Sequence, residues 1–279
     1  MTVLIQAQEL LAMRESGVPV RLLDVRWRLD RPDGRRDFES GHLPGAVFVD
    51  LETQLAGHGA PTDGRHPLPD RTSLQESARS WGLDDGDTVV VYDDLGGMSA
   101  ARAWWLLRHH GVSDVRILDG ALAAWRDAGL PLETGPSAPP RGTIALMTGD
   151  TDDVLHIDDA AALASSGVLL DARAGERYAG DVEPVDPRAG HIPGAVSAPT
   201  AGNLAADGRF RTPEELRERF ASLGAGQGAP VGVYCGSGVT AAHTVAALAV
   251  AGIDARLFPG SWSAWSNHPD RPVAIGAMP

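Results

Sequence analysis

Residues 231–252 read V-G-V-Y-C-G-S-G-V-T-A-A-H-T-V-A-A-L-A-V-A-G and place the chain's single cysteine, Cys235, between two kinds of local structure. Val231 to Tyr234 is a short apolar run of the sort a buried parallel strand shows. From Thr240 onward the spacing turns helical through Val245, Leu248 and Ala249, and Gly252 ends it. The intervening loop holds Gly236 and Gly238, which let the backbone curl so that successive amides face inward, while the following helix adds the positive end of its dipole. Such a cradle binds an anion. With cysteine at its first position, that anion can be the cysteine's own thiolate.

Working outward, the second half of the chain repeats the first in order, at an offset of about 140 to 149 residues. V-R-L-L-D-V-R at 20–26 answers to V-L-L-D-A-R at 168–173, and G-H-L-P-G-A-V at 41–47 to G-H-I-P-G-A-V at 190–196. Residues 89–92 match 231–234, the helical spacing of 99–110 matches 240–251, and L-D-G-A-L-A-A-W ending at Trp125 matches F-P-G-S-W-S-A-W ending at Trp265. Strands therefore alternate with helices, such as those expected over 74–81 and 214–223, which predicts an α/β fold. Two domains follow, 1–135 and 151–279, each a parallel sheet with helices on both faces. A proline-rich stretch at 136–150 reads as the linker.

The repeat also separates residues that hold the fold from residues that serve a site. Asp24, Arg26 and His42 recur as Asp171, Arg173 and His191, and read as structural. Where the halves differ, Cys235 stands opposite Asp93, Arg177 opposite Asp30 and Arg188 opposite Glu39. These exchanges predict an anion site in the second half, because an arginine grips a carboxylate or sulfonate through two parallel hydrogen bonds. In the first half, D-G-R-H at 63–66 answers to D-G-R-F at 207–210, so His66 has no twin, and F-V-D-L-E places Asp50 and Glu52 two residues apart.

Composition bounds the function. With 279 residues, 43% apolar and 22% charged, the chain is an ordinary folded protein of one large or two ordinary domains. A net charge of −13 argues against nucleic acid and anionic membranes as partners, so a small anion must be held by locally placed arginines. One cysteine allows no internal disulfide and no zinc cluster, and neither metal nor cofactor is expected. The first residues lack a basic segment leading into a long apolar run, and no stretch is apolar enough to span a bilayer; the expectation is a cytoplasmic protein.

L-L-D-A-R, R-Y-A-G at Arg177, P-R-A-G-H-I-P-G-A-V, V-Y-C-G-S-G-V-T-A and G-S-W-S-A-W occur in one order, and the chain resembles a tandem-domain sulfurtransferase of the rhodanese family over nearly its whole length. Within that family its loop is most similar to the 3-mercaptopyruvate branch, since Gly236 and Ser237 stand where the thiosulfate branch carries basic residues. The resemblance implies two rhodanese-like domains, the first inactive with Asp93 at the cysteine position, and a persulfide formed on Cys235. It further implies that Arg177 and Arg188 bind the donor's carboxylate and keto oxygen, with Gly236, Gly238, Val239 and Thr240 completing the loop that holds the anion. Ser237, His66 and an acidic residue, Glu52 or alternatively Asp50, would form a proton relay. The donor would be a small sulfur-bearing anion such as 3-mercaptopyruvate or thiosulfate, and the acceptor a thiol, a thioredoxin-like protein or cyanide. Pro259 and Ala264 depart from the family's late motif, which has aspartate and glutamate there. A cysteine phosphatase would need arginine six residues beyond the cysteine, where Ala241 stands. A noncatalytic sulfur-binding or partner-docking module is the other reading to be tested, since fold alone does not give function.

Overall fold

The computed structural model describes residues 2–226 and 228–279. It divides into two compact units, each built on a wholly parallel sheet. In the first, β1 (Leu4–Ile5), β2 (Val20–Asp24), β3 (Val47–Phe48), β4 (Thr88–Tyr92) and β5 (Val115–Leu118) lie in the order β1-β5-β4-β2-β3. In the second, β6 (Val168–Asp171), β7 (Val196–Ser197), β8 (Val231–Tyr234) and β9 (Arg256–Leu257) lie in the order β7-β6-β8-β9. The register repeats as well: Asp24 pairs with Tyr92 as Asp171 pairs with Tyr234. An expectation of two α/β units is met.

Successive strand residues face opposite sides of a sheet, and both sides are buried here. In the first unit Leu22, Val90 and Tyr92 join Leu10, Phe38 and Trp125 in one cluster, drawn from the helices Ala7–Glu15, Arg35–Ser40 and Ala121–Asp127. The alternate residues Leu23, Val89 and Val91 are also fully buried, on the face covered by Ala100–His109. The second unit repeats this core with Leu163, Leu169, Tyr234, Trp262 and Trp265.

The paired residues read as structural are so placed. Arg26 Nη2 donates to Asp24 at 2.6 Å and to the Gly41 carbonyl at 2.8 Å; Arg173 Nη2 does the same with Asp171 at 2.6 Å and Gly190 at 2.7 Å. His42 stacks on Phe38 and His191 on Tyr178 at 3.8 Å, each ring's Nδ1 bonding the carbonyl of its stacking partner.

Two features depart from the simple tandem layout. Residues 136–150 form no regular element, yet they are packed on the first unit: Ile144 and Leu146 are buried, and the amides of Gly142, Ile144 and Met147 donate to Arg79, Leu83 and His110. Furthermore, residues 58–68 of the first repeat belong to the second compact unit, and residues 206–210 of the second repeat to the first. In each case the segment is the D-G-R-H or D-G-R-F loop. Within the first unit Asp119 accepts from the Phe210 amide at 2.8 Å. The second unit has Pro259 at the place of that aspartate, and there Ser263 Oγ accepts from the neighbouring Arg65 amide at 3.0 Å. Replacing the aspartate by Pro259 thus moves the anchor of the loop rather than removing it.

Candidate active site

The cysteine loop is shaped by what holds its carbonyls. Trp262 N donates to Cys235 O and Ser263 N to Gly236 O, both at 2.9 Å, and Ser261 Oγ accepts from Cys235 N at 3.1 Å. Ser261 itself sits at φ 53, a left-handed conformation rare for a residue with a side chain, as does Ala121 at φ 56 in the first unit. The helix Ser261–Ser266 thus takes the carbonyls of Cys235 and Gly236. Gly238 N donates to Cys235 Sγ at 3.2 Å, and Cys235 is 2% exposed. Gly238 has φ 78, and a Cβ there would lie 2.5 Å from the Pro259 carbonyl oxygen, so only glycine fits. It is also the N-cap of the helix Val239–Val250. The helix therefore starts before Thr240, which lies in the first turn and is not the cap. Val239 is buried beside the loop, and His243 is fully buried within the helix.

Ser237 and His66 meet. His66 Nδ1 and Ser237 Oγ are 2.7 Å apart, with both residues buried. Residues 58–68 carry His66 into the unit that holds Cys235, which is what a relay at this loop requires. The twin of His66, Phe210, is a buried apolar residue in the first unit. Asp50 and Glu52 lie in the first unit and differ in use. Asp50 caps the helix Leu51–Gln54, accepting from the amides of Glu52 and Thr53, whereas Glu52 accepts from Trp27 Nε1 at 2.7 Å.

The two arginines part company. Arg177 stands at the loop: a Cβ on Gly236 would lie 3.4 Å from its Nη1. Arg188 does not face the loop as a donor-binding group. Its guanidinium donates to the carbonyls of Trp265, Ser266, His268 and Arg271, at 2.7 to 2.9 Å, which braces the stretch after the last helix. A guanidinium carrying four carbonyl contacts has almost no N–H left for a substrate.

The residue that sequence comparison passed over is Arg65, whose Nη2 would be 3.2 Å from that same Gly236 Cβ. Its counterpart in the repeat is Arg209. The positive groups are also more balanced than the exchanges at 30, 39 and 93 implied. Asp186 pairs with Arg65 through a short contact and with Arg177 at 3.2 Å, and Glu183 accepts from Arg177 at 2.7 Å. Burial alone would raise the Glu183 carboxyl, but hydrogen bonds from Arg177 and from the Asp186 and Val185 amides hold it below the usual range. Burial pushes Asp186 the other way, above it.

In the first unit Asp93 occupies the cradle with its own carboxylate. Oδ1 accepts from the amides of Leu95 and Gly97 and Oδ2 from those of Ser99 and Ala100, at 2.8 to 3.0 Å. Leu122 N holds the Asp93 carbonyl at 2.9 Å, as Trp262 N holds that of Cys235. One unit thus fills its anion cradle with a carboxylate, and the other with a sulfur.

The Rhodanese-like domain model matches residues 6–128 and 156–268. The chain belongs to the rhodanese family. Among its rhodanese relatives, the Mycobacterium tuberculosis protein named thiosulfate sulfurtransferase SseB is 52% identical over 98% of this chain and 97% of its own length. A Pseudomonas aeruginosa protein named 3-mercaptopyruvate sulfurtransferase is 48% identical, covering 98% of each chain. The crystal structure of the 3-mercaptopyruvate sulfotransferase SseA from Escherichia coli superposes with a TM-score of 0.83 at 33% identity, over 94% of this chain and 99% of that one. Both repeats are therefore rhodanese units, one with cysteine at the head of its loop and one with aspartate. Among the described residues, no helix is long and apolar enough to cross a membrane.

Proposed function

We propose that this rhodanese moves a sulfane sulfur from a small anionic donor, 3-mercaptopyruvate or thiosulfate, through a persulfide on Cys235 to a thiol, a thioredoxin-like protein or cyanide. The observation that carries the proposal is the buried Cys235 sulfur accepting from the Gly238 amide at the mouth of a twelve-residue helix. That position stabilises a thiolate before reaction and a persulfide after it. The names borne by relatives of 48 and 52% identity support the same reading.

The chemistry is a displacement at sulfur. The Cys235 thiolate forms a bond to the donor's terminal sulfur, and that sulfur's bond to carbon, or to the sulfonate sulfur in thiosulfate, breaks. The electron pair leaves with pyruvate enolate or with sulfite. An enolate must then gain a proton, whereas sulfite departs as it is. The Ser237 and His66 pair, 2.7 Å apart, supplies such a proton, which favours 3-mercaptopyruvate as donor. A second-order displacement by the acceptor thiol removes the outer sulfur and restores the Cys235 thiolate.

Incubation with either donor followed by mass spectrometry tests the proposal: one extra sulfur atom will be found on the peptide carrying Cys235, and acceptor thiol will remove it. A folded protein left unmodified by both donors would favour the noncatalytic module. The His66→Ala protein will lose about a hundredfold in 3-mercaptopyruvate turnover, the usual scale of general acid catalysis. Its thiosulfate turnover will change by less than about threefold, since sulfite needs no proton on departure. Steady-state rates with both donors check this, and equal losses would reduce His66 to a packing role.

A further inference from the structure

Two guanidiniums flank the loop residue next to the nucleophile. Arg65 Nη2 and Arg177 Nη1 would stand 3.2 and 3.4 Å from a Cβ on Gly236. The Nε atoms of both arginines are buried without a hydrogen-bond partner among the described residues. The outer side of the pair is engaged: Arg65 Nη1 and Arg177 Nη2 both reach the Asp186 carboxylate, and Arg177 Nη2 also reaches Glu183. Asp186 thereby ties the two side chains together from behind. The other Nη of each, on the Gly236 side, makes no hydrogen bond or ion pair with the described residues. This is the arrangement of a preorganised clamp, with acids fixing the arginines on one side and donors waiting on the other.

We propose that Arg65, paired with Arg177, binds the anionic end of the sulfur donor, a carboxylate or a sulfonate, and that Arg65 takes the donor-binding role that the sequence suggests for Arg188. The inference rests on the sulfurtransferase reading above and adds the residue that selects the substrate class. Gly236 directly follows Cys235, and adjacent Cα atoms are about 3.8 Å apart. An anion held beside Gly236 therefore leaves the sulfur of a small donor within a few bonds of Cys235 Sγ. Glycine at 236 leaves that space open to the donor. Arg65 also lies one residue before His66, so one short segment, anchored by the bond from the Arg65 amide to Ser263 Oγ, positions both the clamp and the relay.

The test uses the full chain with Arg65→Gln and Arg65→Lys. For R65Q, KM for 3-mercaptopyruvate and for thiosulfate will rise about ten- to a hundredfold, as expected when one charged hydrogen-bonding partner of an anion is lost. Its kcat will stay within about threefold, and R65K, which keeps the charge but not the fork, will fall between R65Q and the parent. A second readout needs no turnover: the rates at which iodoacetate and the neutral iodoacetamide alkylate Cys235. The parent will favour the anionic reagent relative to R65Q by about the same factor, and the neutral reagent will react alike with both proteins. A rise confined to one donor identifies which anion the clamp is built for. Unchanged KM for both donors, or an unchanged ratio of alkylation rates in R65Q and R65K, overturns the assignment. A parent protein that forms no persulfide overturns the sulfurtransferase reading instead, and the alkylation ratio still decides the clamp.

Discussion

Cys235→Ser will fold like the parent and transfer no sulfur, with a loss of at least about ten-thousandfold in turnover with either donor. The fold survives because the change is nearly isosteric, and the serine hydroxyl can accept from the Gly238 amide as the sulfur does at 3.2 Å. The carbonyl contacts from Trp262 and Ser263 involve backbone alone and are untouched. Activity is lost for two reasons. A thiol is a few per cent ionised at neutral pH even without help, whereas a hydroxyl is not ionised at all. In addition, an oxygen cannot store sulfane sulfur in a form that a thiol removes. Initial rates together with the mass of the Cys235 peptide check the result; residual turnover within tenfold of the parent would mean that the sulfur does not pass through this residue.

The second large effect is expected far from any chemistry. Asp93→Ala will cost about 3 kcal/mol of stability and lower the melting temperature by about 6 to 12 °C, with persulfide formation at Cys235 unchanged at low temperature. Four backbone amides, those of Leu95, Gly97, Ser99 and Ala100, converge on this one carboxylate. Removing it strands all four in a fully buried setting, at about 1 to 3 kcal/mol for each unsatisfied donor. Part of that is offset because burial itself pushes the Asp93 carboxyl up, against the pull of the amides. Asp93→Asn will cost less than alanine, since its amide oxygen still accepts while its NH2 faces donors. Thermal denaturation of the two variants checks the order; a loss under about 1 kcal/mol for alanine would show that water fills the cradle at little cost.

Much of this was legible in the residues. The apolar run 231–234, the glycines at 236 and 238 and the helical spacing after them specify a strand, an amide-lined loop and a helix, because each is a local consequence of side-chain pattern and backbone freedom. The substitution of Asp93 for Cys235 was legible because the chain carries its own second copy for comparison. His66 stood out for the same reason, opposite Phe210. That comparison also misled. It passed over Arg65, whose twin Arg209 bonds to Gln6 and Asp119 in the first unit, although the two arginines meet different surroundings. It promoted Arg188, because a unique arginine looks like a ligand until its N–H groups are traced to the carbonyls of Trp265, Ser266, His268 and Arg271. Sequence spacing records neither where a long side chain ends nor which unit a loop joins. The strap at 136–150 had a fainter signal, the alternation of buried Gly142, Ile144 and Leu146 with exposed residues between them.

The assignment of residues 58–68 to the second unit has a bearing on whether the two repeats can be separated. The repeat that carries Asp93 has no cysteine of its own. It nevertheless still encodes Arg65 and His66, which fold with the surviving nucleophile. If the clamp and the relay proposed above operate, deleting the first repeat deletes both: the two repeats then form one indivisible unit and not two interchangeable copies.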